Sequence, residues 1–163
     1  MSSPDTRLTR RGLLLAPLAL AACGFQPVYG PGGAGAILRN RVLVEAPEDR
    51  DGYLLVRELE ERLGRAAPPA YTLSLTYAAL QEGLAIDRAG NTRRFNTLGA
   101  VDYALTELAT GAVLTSGRVE NFTGYSATGT TVATLAAEQD AQRRLAGLLA
   151  DQIVARLFAS PLG

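Results

Sequence analysis

"YTLSLTY", residues 71–77, alternates Tyr71, Leu73, Leu75 and Tyr77 with Thr72, Ser74 and Thr76. A period of two sends the apolar side chains to one face of an extended chain and the hydroxyls to the other, which predicts a half-buried β-strand. Ala67-Pro68-Pro69 breaks the chain just before it. Downstream, Phe95, Val101, Tyr103 and Leu105 share one phase, and a further run at 113–125 follows a turn at Thr110-Gly111. Phe122 is out of phase with Val113 and Val119, which predicts a bulge or a change of face near Asn121. Strands of this extent exceed the usual length of about 5–6 residues and imply an elongated sheet.

Upstream, residues 37–45 form a strand candidate centred on Val42, Leu43 and Val44 and ended by Pro47. A helix follows, capped by Asp49 or Asp51, with Leu55, Leu59 and Leu63 on one face, Glu58, Glu60 and Glu61 mainly on the wet side, and Gly64 at its end. From about 134 to 159, Ala141, Leu145, Leu149, Ile153 and Leu157 recur at four-residue steps, flanked by Leu148, Val154 and Phe158, until Ser160-Pro161 stops the helix. The order is βαβββα. Two apolar helical stripes need a common sheet face, so the expected architecture is an α/β (α+β) two-layer sandwich: a mixed four-stranded sheet covered by two helices. Strands one and two, joined through a helix, are expected as parallel neighbours, and the later connections as antiparallel hairpins.

The 163 residues include no histidine, lysine or tryptophan and one cysteine, Cys23, so an internal disulfide is excluded. At the N-terminus Arg7, Arg10 and Arg11 precede an apolar stretch at 13–22 that ends in small residues and is too short to span a bilayer. Residues 1–22 are thus expected to be a leader; Arg10-Arg11 fits either a twin-arginine or an ordinary export signal. Without Arg7, Arg10, Arg11 and Asp5, the 16 basic and 16 acidic residues become 13 and 15, a net charge near −2. That balance argues against a general nucleic-acid binder.

Leu20-Ala21-Ala22-Cys23 resembles a bacterial lipobox, in which cleavage leaves an acylated cysteine as the new N-terminus. Durable anchoring takes more than one acyl chain, which a triacylated Cys23 would supply. Residue 24 is glycine rather than the aspartate that often retains lipoproteins at the inner membrane, so the resemblance points to the outer membrane. Residues 23–36 are expected to be the lipidated cysteine and a flexible tether, and 37–163 a single domain. Gly30-Pro31-Gly32-Gly33-Ala34-Gly35 formally matches G-x-G-x-x-G, but it follows the anchor and precedes a strand-like run, whereas a dinucleotide site follows a strand and opens a helix.

"CGFQPVYG", residues 23–30, resembles the sequence after lipidation in the LptE family of lipopolysaccharide-assembly lipoproteins, and "AAEQDAQRRLAGLLADQIVARL", residues 136–157, is similar to that family's last helix. The resemblance implies a plug for the LptD outer-membrane β-barrel that supports barrel assembly and assists lipopolysaccharide delivery to the outer leaflet. Polar strand phases would suit a polar lumen. An auxiliary lipoprotein of another envelope lipid transporter would share the anchor and the fold.

Catalysis has little to work with. Lacking histidine and lysine, the chain cannot build a Ser-His-Asp triad, a histidine metal site or a P-loop, and an acylated Cys23 offers no thiol. A carboxylate-pair hydrolase would draw on Asp87, Asp102, Glu107 and Glu120, all equally explained as strand-face or loop charges. No catalytic residue, metal or cofactor is expected. Arg88, Arg93 and Arg94 flank Gly90-Asn91 at the turn between the second and third strands. They are the candidate contacts to lipid A phosphates, since a guanidinium fork donates two hydrogen bonds to one phosphate.

Overall fold

The computed structural model describes residues 28–30, 32–45, 50–86, 90 and 92–161. Residues 1–22, expected as a leader, and Cys23, Asp87 and Arg88 lie outside the described residues. The alternating stretch at 71–77 opens β2 (Tyr71–Ile86), which turns into β3 (Thr92–Glu107) and then β4 (Val113–Ser126). Ahead of them stand α1 (Ala34–Leu38), β1 (Val42–Val44) and α2 (Arg50–Leu63), and α3 (Thr131–Ala159) closes the chain. The sheet order is β1-β2-β3-β4, with β1 parallel to β2 and both later pairs antiparallel. This is the expected mixed sheet with one covered face, and the 16-, 16- and 14-residue strands make it long.

The core lies between the sheet and two helices. Leu55, Leu59 and Leu63 of α2 and Leu145, Leu149, Ile153 and Leu157 of α3 are buried against Leu73, Val101, Tyr103, Leu105 and Val119. Gly99 lets α3 sit close, because a Cβ there would come within 3.0 Å of Leu149 Cδ1 and 3.1 Å of Leu145 Cδ2. The long helix starts earlier than its apolar stripe, at Thr131, where the Thr130 hydroxyl accepts from the Ala133 N–H at 3.3 Å. Its burial begins only at Ala141. Leu148 faces away from the core and is 41% exposed.

The structure departs from the sequence expectation at several places. The strand expected over 37–45 is only three residues long, because 34–38 make one helical turn and Asn40 then adopts φ 58°. Asn40 is held there by the end of α2: its N–H donates to Leu63 O at 2.8 Å, and its own carbonyl accepts from Ala67 N–H at 3.1 Å. No bulge forms at Asn121, which pairs regularly with Gly99. The bulge lies instead at Leu114, where Leu105 opposes Thr115 but Thr106 opposes Val113. That extra residue moves Val113 to the face opposite Val119, the face that Phe122 occupies by ordinary alternation. Glu58, expected on the wet side of its helix, is turned toward α3: its carboxylate accepts from Arg62 Nη1 at 2.9 Å, while Arg62 Nε donates to Asp151 at 2.6 Å.

Candidate functional site

Two elements of this architecture are not used by the core: the sheet face that no helix covers, and the far end of the β2–β3 hairpin. On the first, strict register aligns Leu80 with Leu98 and Leu98 with Phe122 across three strands. Odd-numbered residues of these strands face the helices, as Leu73, Val101 and Val119 do, so the even-numbered trio points to the other side. Leu80 and Phe122 are each 60% exposed. With Ala78 and Ala100 they border an open depression of about 450 Å³. Large apolar side chains aligned on a wet face are the kind of feature that marks an interaction surface.

Beside the row, toward the base, the same face of β3 and β4 is charged. Arg118 Nη1 donates to Asp102 at 2.8 Å and Nε to Glu120 at 2.7 Å. Two of the four carboxylates considered for hydrolysis, Asp102 and Glu120, are thus held by one guanidinium on an exposed strand face. Glu107 accepts from the Thr110 hydroxyl at 2.7 Å in the β3–β4 turn. Among the described residues no cluster of acidic or cysteine side chains is placed to hold a metal ion.

The hairpin end carries Arg93 and Arg94, both exposed. Arg94 pairs with Ala85 and Ser126, whereas Arg93 is the extra residue between the paired Thr92 and Arg94. A bulge re-aims side chains, so simple alternation does not govern this pair. Behind them Phe95 stacks on Tyr125 at 5.3 Å, and the Tyr125 hydroxyl accepts from Gln81 Nε2, which also reaches Glu138 of α3. Burial, with Glu138 adding to it, raises the Tyr125 phenol pKa. The arginines therefore sit on a braced platform. Arg88, the third expected member, lies outside the described residues.

The opposite end receives the N-terminal segment. Gly35 N–H donates to Val28 O at 3.0 Å, and Tyr29 meets Phe158 edge-on. Part of the stretch expected as tether is therefore docked on the last turns of α3. A 16-residue strand spans about 50 Å, so this base and the arginine end are separated by the full length of the sheet. Among the described residues no helix is long and apolar enough to cross a membrane.

The apolar row escaped the sequence reading, although its signal was present: Leu98 and Phe122 each fall out of phase with the core residues of their own strand.

The family described as "LptE: Lipopolysaccharide-assembly" matches residues 39–157. No curated protein matches the chain. Among solved structures, a protein from Caulobacter crescentus described as a lipoprotein is 29% identical with TM-score 0.66, covering 77% of this chain and 93% of its own. Lipoprotein B from Nitrosomonas europaea is 18% identical with TM-score 0.56, covering 83% and 91%. Rare lipoprotein B from Shewanella oneidensis is 16% identical with TM-score 0.53, covering 73% and 92%. The last two show the fold alone.

Proposed function

Because this chain belongs to the LptE lipopolysaccharide-assembly family, we propose that it is a lipid-anchored, non-catalytic plug of an LptD-type outer-membrane β-barrel that supports the barrel's assembly and assists lipopolysaccharide delivery to the outer leaflet. The observation that carries the reading is the in-register row Leu80, Leu98 and Phe122 on the sheet face that no helix covers. That face is long, with Thr72, Ser74 and Thr76 toward the base and the apolar row farther along. A mostly polar surface with one apolar anchor suits the wall of a water-filled barrel, where binding concentrates in a few buried side chains.

Cys23 is the anchor in this reading. It precedes Val28 by five residues, which span at most about 18 Å, so the acyl chains hold the base of the domain near the membrane. Arg93 and Arg94, at the other end, are then the phosphate contacts for lipopolysaccharide, together with Arg88. The test is the pair Leu98→Asp and Phe122→Asp. Each leaves the core untouched and is expected to reduce recovery of the barrel with the tagged protein at least about tenfold, the scale of one lost interface anchor. Full recovery of the barrel with both variants would show that this face is not the interface. Mass spectrometry of the mature protein checks the anchor: an unmodified thiol at residue 23 would remove it.

A further inference from the structure

The other unusual feature is the outer edge of β4. It is the last strand in the sheet, 14 residues long, and such an edge presents unpaired backbone groups to any strand that can align with it. The Ala127 N–H donates to Arg93 O at 2.9 Å, so by alternation odd-numbered positions of β4 turn toward β3 and even-numbered ones turn outward. Three outward groups are taken by side chains. Arg156 Nη1 donates to Arg118 O at 2.6 Å, Arg144 Nη2 donates to Gly124 O at 3.3 Å, and Asn121 Oδ1 accepts from the Phe122 N–H at 2.8 Å.

The positions are related to one another. Residues 118 and 124 lie symmetrically about 121. In an antiparallel pairing of two copies of β4 centred on Asn121, the Arg118 carbonyl of one copy would accept from Gly124 N–H of the other, and the reverse. Such a two-fold contact is self-complementary, so one alignment forms both halves. Two of the carbonyls it needs, those of Arg118 and Gly124, are covered by guanidinium groups of the long helix, and the Phe122 N–H it needs is taken by Asn121. The geometry points to a guarded edge: Arg144 and Arg156, with Asn121, keep β4 from pairing with β4 of a second copy of this chain. On the other side of the sheet, β1 has only three residues and pairs with Tyr71–Leu73 alone, so β2 beyond Leu73 is a second open edge, which the substitutions in Arg144 and Arg156 leave unchanged.

The inference is independent of the barrel reading, and its test is the state of association of the full chain purified in detergent, followed by sedimentation velocity over a concentration series. The parent is expected to be monomeric. Arg144→Ala with Arg156→Ala is expected to self-associate at least about tenfold more tightly, with slowed amide exchange at Arg118 and Gly124 in the associated form. Arg143→Ala removes a neighbouring cation that touches Asp140 but no β4 carbonyl, and should remain monomeric. A folded double variant that stays monomeric at every concentration, or an Arg143→Ala variant that associates equally, overturns the proposal. Should the double variant not fold, Arg156→Ala alone, read by the same two measurements, decides in the same way.

Discussion

The Tyr29 ring meets the Phe158 ring edge-on, with centroids 5.6 Å apart and an interplanar angle of 77°. This contact fixes where the chain from the N-terminus arrives, at the C-terminal end of α3 and at the other end of the sheet from Arg93 and Arg94. An aromatic pair contributes about 0.5–1.5 kcal/mol beyond area burial. Tyr29 is 67% exposed, so Tyr29→Ala should cost about 1 kcal/mol in urea denaturation. An unchanged midpoint would show that the segment is not docked in solution.

Leu149 is fully buried, and Leu149→Ala should lose about 2–5 kcal/mol from transfer and cavity terms together. Arg143→Ala, on the wet side, should stay within about 0.5 kcal/mol of the parent. Gly99→Ala should destabilise the parent by pushing a methyl against Leu149 Cδ1. It should cost less in the Leu149→Ala background, where that contact is gone, because neighbouring sites do not add. Additive losses from denaturation curves would place Gly99 away from the helix.

Hydrogen bonds from Arg62, and secondarily from Arg57, hold the Glu58 carboxyl below its ordinary value of 4.5, against the opposing effect of burial. A depressed carboxylate stabilises the fold above its unfolded-state value and loses that contribution as pH falls through the folded one. Stability should therefore decline as acid takes the solution below about pH 4.5, and Glu58→Gln should make that decline shallower. Denaturation midpoints at several acidic pH values check this, and parallel curves for parent and variant would contradict it.

Replacing Arg93 and Arg94 with aspartate should weaken lipopolysaccharide binding in vitro while the fold and the barrel complex persist. Both side chains are exposed and lie outside the buried core. Binding by the folded double variant equal to that of the parent would assign the lipid contact elsewhere.

Much of the fold was readable because period-two and four-residue apolar patterns report burial directly, and β2 and α3 keep them over long distances. What the patterns do not report is which sheet face goes uncovered. Leu98 and Phe122 alternate correctly with their neighbours, yet only the packed helices show that their side remains open. Short β1 was not legible because its start is set by Asn40 bonding to Leu63, 23 positions away in sequence. Arg144 and Arg156 read as solvated cations on a helix, since a side chain reaching a distant backbone carbonyl leaves no periodic trace. At the hairpin end, the turn and its arginines were visible, but the bulge at Arg93 depends on strand register.

Whether this chain acts inside a barrel is decided by affinity purification of the tagged protein from detergent-solubilised outer membranes. An LptD-type β-barrel is expected to copurify in stable complex with the chain. Copurification with inner-membrane transporter subunits, and no barrel, would contradict it.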